Sequence, residues 1–145
     1  MVTPEEIARR SAERMWADDA ASRSLGMRIV HVGPGTATVT MDVRPVMING
    51  WGICHGGLVT SLADSAFALA CNSFGEVTVA AGFDITFLEP VHQGDTLVAN
   101  AWMRSRRGRS GLYDVTVTRT SGESPVVVAE LRGRSRSTGR PIEPR

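Results

Sequence analysis

Between Arg44 and Glu76 the chain carries one formally charged side chain, Asp64. The stretch Asn49–Ser73, NGWGICHGGLVTSLADSAFALACNS, opens as a glycine-rich loop and turns into a run of apolar and small residues at His55 or Gly56. A helix that is apolar or small on nearly every face belongs inside a domain. Ionised carboxylates are costly there, and aspartate is a poor helix-interior residue. Asp64 therefore breaks two local rules at once, as residues at functional sites do. A buried carboxylate satisfied by loop N–H groups is the purely structural alternative.

The flanking sequence fits layers around that helix. Thr3-Pro4-Glu5-Glu6 reads as a capping box with proline at the first helical position, and the helix it opens extends to about Ala17. Asp18–Ser24 reads as a second short turn or helix. Met27–Gly33 and Thr36–Val43 form a hairpin across Gly33-Pro34-Gly35, with Ala37, Val39, Met41 and Val43 on one face. The central helix is expected to stop near Phe74-Gly75, with Gly75 just past its end. Beyond it the period is two. Val79, Ala81, Phe83, Ile85 and Phe87 form one row, and Leu97, Ala99, Ala101 and Met103 the next. Arg106–Gly111 is a hairpin turn. Tyr113, Val115 and Val117 follow, then a turn at Ser121-Gly122-Glu123-Ser124, and Val127, Ala129 and Leu131 on the last strand. Helix, two strands, buried helix, four strands is a two-layer α+β pattern, six antiparallel strands curled about one helix. The expected organisation is an N-terminal helical segment over 1–24, one domain over 25–136, and a frayed tail over 137–145.

Composition excludes several classes. No apolar run is long enough to span a membrane without polar breaks, and the first residues, with Glu5, Glu6, Arg9 and Arg10, do not resemble a signal peptide. The expectation is a cytoplasmic protein with no membrane partner. Cys54 and Cys71 show no metal-ligand spacing and no disulfide framework, so no metal site is expected. Residues 1–100 hold six arginines against eleven acids, and residues 101–145 ten arginines against four acids. The arginine-rich end suits phosphate groups, yet no aromatic-basic motif suggests nucleic acid.

The motif N-G-x-G-x-x-H-G-G-x-x-x-x-L-A-D resembles the hotdog-fold acyl-coenzyme A thioesterases, and most nearly the phenylacetyl-CoA thioesterase group. It is carried by Asn49, Gly50, Gly52, His55, Gly56, Gly57, Leu62, Ala63 and Asp64. Ala70–Ser73, Asp84–Pro90, Gly94–Leu97 and Gly111–Val115 extend the resemblance over roughly residues 25 to 136. It implies hydrolysis of phenylacetyl-CoA or hydroxyphenylacetyl-CoA with no cofactor, coenzyme A being part of the substrate. It also implies that the Gly56 N–H polarises the thioester carbonyl and that the site lies at a dimer interface, with further assembly into a tetramer. Asp64 would be general base or nucleophile.

Chain geometry points the same way. Eight residues separate Gly56 from Asp64, about 12 Å along a helix, too far for both to reach one carbonyl carbon. Two antiparallel copies of the helix would bring one protomer's Asp64 to its partner's Gly56. Asn49 can orient water or thioester, or simply shape the loop. His55 can bond substrate or cap the helix. Met47, Ile48, Trp51, Phe67 and Phe74 are acyl-pocket candidates, Phe67 being better placed as plain core. Gly57 and Trp51 complete the expected substrate contacts. Arg107, Arg109 and Arg134, from a hairpin tip and the alternating Arg132, Arg134, Arg136 row, are candidates for the coenzyme A phosphates or for a solvated edge. A hotdog hydratase would need a histidine where Asn49 stands. A non-catalytic CoA-thioester binding module would have no use for Asp64.

Overall fold

The computed structural model describes residues 1–120 and 124–142. Thr3 Oγ1 accepts from the Glu6 N–H and Glu6 Oε2 from the Thr3 N–H, both at 3.2 Å, so the capping box starts helix α1, Pro4–Ala17, as read. Helix α2, Ala20–Ser24, follows, then strands β1, Arg28–Gly33, and β2, Thr36–Asp42. The central helix α3 is Gly56–Cys71; β3 is Glu76–Phe87, β4 Thr96–Arg107, β5 Ser110–Arg119 and β6 Val126–Pro141. Among the described residues these six strands form one antiparallel sheet in the order β1-β2-β4-β5-β6-β3. This is the α+β hotdog architecture that the sequence led us to expect, with the N-terminal helix added.

The sheet curls about α3 because the helix offers it small and branched residues. Val59, Leu62, Ala63, Ala66, Phe67 and Ala70 are buried, as are Ala37, Val39, Met41, Leu97, Ala99, Ala101, Val115, Val117 and Leu131 from the strands. The alanines let strands approach the helix closely, and Phe67 fills the remaining depth. Its ring packs at 5.7 Å, tilted, on Tyr113 and lies directly over Gly133. A Cβ on Gly133 would come within 2.7 Å of Phe67 Cζ. Gly133→Ala is therefore expected to destabilise by about 1–3 kcal/mol through overpacking, read as a lower denaturation midpoint at unchanged slope.

Several boundaries differ from the pattern reading, each for a local reason. Helix α3 stops at Cys71, not near Phe74. Asn72 ends it by donating Nδ2–H to Ala68 O and Thr78 O and accepting the Thr78 N–H at 2.8 Å, which ties the helix end to β3. Gly75 does take a left-handed φ of 83°, but in the turn beyond. The β3 row is interrupted by a bulge between Ala80 and Gly82, and Val79 and Phe87 are half-exposed on this edge strand. A bulge opposite Val117/Thr118 turns Val128 inward and leaves Val127 at 40% exposure, so Val127 does not share the core face with Ala129 and Leu131. Met103 is likewise half-exposed where the β4–β5 register shifts. The expected tail over 137–145 is corrected up to Pro141: β6 continues, with Ser137 opposite Thr78 and Pro141 opposite Glu76, because the long β3 supplies an edge to pair with. Residues 143–145 of that tail, and 121–123 of the expected Ser121–Ser124 turn, lie outside the described residues.

Candidate active site

Two features of α3 are chemically unusual, its start and its middle. The start is prepared by the preceding loop. A 3₁₀ turn at Pro45–Met47 leads to an isolated bridge between Ile48 and Cys54, which pinches off residues 49–53. Asn49 closes that small loop. Its Oδ1 accepts from the N–H groups of Trp51 at 2.9 Å and Ile53 at 3.3 Å, and Gly52 takes φ 80° to make the turn. Asn49 thus shapes the loop with its carbonyl oxygen, not through a left-handed backbone. Its amide N–H₂ donates no hydrogen bond to a described residue.

His55 serves as the N-cap of α3. Its N–H donates to Met47 O at 2.8 Å, and its Nδ1 accepts from the Gly57 N–H at 3.2 Å. Of the two roles open to it, capping is the one the structure displays, and the Nδ1 acceptor requires the proton to be absent from that nitrogen. This arrangement occupies the Gly57 N–H and leaves the Gly56 N–H, the first of the helix, without an intrahelical acceptor. It stands at the positive end of the helix dipole, suited to a developing oxyanion. Phe87, at the end of β3, lies over Gly56: a Cβ there would sit 3.1 Å from its ring. No pattern in the sequence marks Phe87 as a neighbour of Gly56, since the contact joins a strand end to a helix start 31 positions away.

Asp64 lies two turns along α3, half-buried on the face turned from the sheet, with Gly57, Ser61 and Ala68 as partly exposed small neighbours. Its carboxylate makes no hydrogen bond or ion pair with a described residue. Burial first, and the negative charge of Asp19 second, push its carboxyl above the usual carboxylate range. The buried alternative, a carboxylate satisfied by loop N–H groups, is not what is seen. Within one chain Gly56 and Asp64 remain about 12 Å apart along the axis.

The remaining candidates divide. Val46, Met47, Ile48, His55, Gly57 and Leu58 line an apolar groove of about 440 Å³ beside the helix start. Met47 and Ile48, two of the acyl-pocket candidates, are among these residues, and Val46 and Leu58 join them. Trp51 stands at the loop tip, 91% exposed, and is not among the groove's lining residues. Phe67 is core. Phe74 lies past the far end of α3 from Gly56, with the Arg106 guanidinium 3.8 Å over its ring, and is not among the residues lining that groove. Arg107, Arg134 and Arg136 converge on one depression of about 470 Å³ with Ser105, Ser110 and Ser135. Arg134 is half-committed to the exposed Asp84 at 3.2 Å. Arg109 is not part of that depression; it borders a smaller polar cavity with Cys71, Glu76 and Tyr113. Arg132 is engaged by Asp114 through two hydrogen bonds, which hold the Asp114 carboxyl low.

Neither cysteine offers a thiolate. Burial raises the Cys54 thiol and pushes Cys71 up to about 12. Among the described residues no three His, Cys, Asp or Glu side chains gather as metal ligands, and no helix is long and apolar enough to cross a membrane.

Comparison with known proteins places these features in context. Residues 52–126 match the family model of the thioesterase superfamily. The acyl-coenzyme A thioesterase PaaI of Escherichia coli K12 is 42% identical over 130 residues, covering 90% of this chain and 91% of that protein. The solved structure of E. coli PaaI, from the phenylacetic acid degradation operon, superposes with a TM-score of 0.90 over 96% of this chain and 99% of that one. A Streptococcus mutans UA159 protein bound to acetyl CoA is 27% identical, with a TM-score of 0.73 over 79% of this chain and 90% of its own.

Proposed function

The chain belongs to the thioesterase superfamily, and we propose that it hydrolyses acyl-CoA thioesters, phenylacetyl-CoA or hydroxyphenylacetyl-CoA foremost, in the cytoplasm at a site shared by two protomers. The observation that carries this reading is the pair of unsatisfied groups on α3, an open N–H at Gly56 and an unpartnered carboxylate at Asp64, too far apart to meet within one chain. A two-fold axis beside the small-residue face of α3 gives each protomer's Gly56 the other's Asp64. The exposed apolar edge of β3, with Val79, Phe87 and Leu88 near half-exposure, supports a second copy on that side. Further assembly into a tetramer belongs to the same proposal.

The chemistry follows from those groups. The thioester carbonyl oxygen accepts the Gly56 N–H, which strengthens as the oxygen becomes negative. Asp64 takes a proton from water as the water oxygen bonds the carbonyl carbon; collapse of the tetrahedral species then breaks the C–S bond and expels coenzyme A as its thiolate. In the nucleophilic variant an Asp64 carboxylate oxygen bonds the carbon first, the C–S bond breaks to release coenzyme A as its thiolate, and water then cleaves the resulting anhydride to free acid and the Asp64 carboxylate. Asn49 directs its free amide hydrogens to water or carbonyl, His55 holds the cap, and the groove beside Gly57 takes the acyl group. Trp51, exposed at the loop tip, and Arg109 add further substrate contacts. Arg107 and Arg134, joined by Arg136, receive the phosphates. No cofactor enters; coenzyme A is the carried half of the substrate.

A panel of phenylacetyl, hydroxyphenylacetyl, benzoyl, and short and medium aliphatic thioesters, read by free-thiol release, tests the reading. The arylacetyl thioesters are expected to give the highest kcat/KM. No thiol release above the uncatalysed rate with any member would remove the activity; a preference for aliphatic chains would remove the substrate class. Sedimentation is expected to show a dimer or larger.

A further inference from the structure

Among the described residues, the charged side chain felt by Asp64 comes from outside the central domain. Asp19 caps helix α2, its Oδ1 accepting the Ser22 N–H at 2.9 Å and its Oδ2 the Ser22 hydroxyl at 2.7 Å. Ser22 is 3% exposed, and its Oγ lies 2.7 Å from Ser65 Oγ. A hydroxyl has one proton, so with the Ser22 proton on Asp19, the Ser65 hydroxyl donates to Ser22. Ser65 follows Asp64 directly in α3. Three side chains therefore fasten the N-terminal segment to the turn of α3 that bears the carboxylate.

The other groups facing Asp64 carry no charge at neutral pH. Cys71, two turns down α3, is neutral because burial pushes its thiol up to about 12. Tyr113 on β5, behind Cys71, is likewise pushed up to about 12. Helix α1 buries Ala8, Ser11 and Ala12, and the buried side chains of β2, β4, β5 and β6 are apolar or, as Thr40, Tyr113 and Ser135, polar without formal charge at neutral pH. Asp19 is thus the unbalanced charge acting on Asp64, and it raises the Asp64 carboxyl.

We propose that α2 is a positioning arm for the reacting carboxylate: the Asp19–Ser22–Ser65 chain docks the N-terminal segment on α3 and holds a second negative charge within electrostatic range of Asp64. Asp19 is a positioning residue that touches no substrate. Its effect is to make Asp64 a stronger base than an isolated aspartate, which suits proton removal from water near neutral pH. The inference rests on Asp64 being the reacting group, and the experiment separates the two.

Asp19→Asn keeps an N-cap of equal quality while removing the charge. Its acid limb of kcat/KM against pH is expected to move to lower pH, since the active form is ionised Asp64 and the charge opposing ionisation is gone. The ¹³C titration of the Asp64 carboxyl in the free enzyme is expected to move the same way, with the melting temperature at neutral pH the same or higher. Ser65→Ala, which cuts the tie, is expected to move both in the same direction, and the double variant no further than Asp19→Asn alone. An Asp64 titration unmoved by Asp19→Asn in a natively folded enzyme overturns the proposal. If instead Asp64→Asn proves fully active, the catalytic reading fails, while the carboxyl titration still reports whether Asp19 acts on Asp64.

Discussion

Asparagine in place of Asp64 is expected to lower kcat by about 10²–10⁴-fold, the range typical of a lost general base. The substitution keeps shape and polarity but can neither accept the proton of water nor attack a carbonyl. The fold is expected to gain from it. A carboxyl raised above its unfolded value contributes stability while protonated, and that contribution is lost as pH rises through the folded pKa. Burial and Asp19 raise Asp64 in this way. At neutral pH its ionised form therefore costs the native state free energy, and Asp64→Asn is expected to melt at the same or a higher temperature than the natural protein. The difference should shrink as pH falls toward the ordinary carboxylate range. Coenzyme A binding should be near normal, because the arginine depression is lined by residues of β3, β4, β5 and β6 with none from α3. A variant with full thioesterase activity would contradict the role of Asp64. One melting well below the natural protein at pH 7 would show instead that the carboxylate stabilises the fold.

Alanine at Gly56 is expected to cost about 10²–10³-fold in kcat, the loss typical for removing one oxyanion donor. The new methyl carbon would meet Phe87 ring atoms at 3.1, 3.4 and 3.6 Å. Phe87 is half-exposed at a strand end and can give way, so the chain should fold while the ring or the helix start moves from its place at the N–H. The larger consequence appears on mixing. A dimer of one Gly56→Ala chain and one Asp64→Asn chain has one site with both defects and one with neither. Random assembly of the two inactive chains should then restore about a quarter of the natural rate, as two-fold symmetry with shared sites requires. Co-expression with different tags allows the hybrid to be purified, and its rate is expected to be about half the natural one, since one of its two sites is intact. No recovery in a verified hybrid would place each site within a single chain.

Much of this was legible before any coordinates. Capping chemistry placed α1 to the residue, since Thr3, Pro4 and Glu6 act within one turn. Alternation placed Ala37, Val39 and Met41 in the core, because strand period and burial coincide where a strand lies between two others. Patterns failed where long-range pairing overrode them. Bulges reset the faces of β3 and β6. Asn72 ended α3 by bonding Thr78, and β6 ran past its expected end because β3 was there to pair with. Arg109, two residues from Arg107 in sequence, lines a different cavity from it, one it shares with Phe74.

That a single carboxylate stands on an otherwise apolar helix is evident from the sequence itself, because no other residue between Arg44 and Glu76 is formally charged. The glycines at the helix start, and the separation of about 12 Å between Gly56 and Asp64, also follow from residue type and the rise of a helix. Only the tertiary structure decided that His55 spends its ring nitrogen on Gly57 and leaves Gly56 open. It alone laid Phe87 over that glycine and tied Asp19 through Ser22 to Ser65, the residue after Asp64. These contacts join segments far apart in the chain. Periodicity and propensity act over a few residues; which distant side chains meet depends on strand register and helix docking, set by the packing of the whole core.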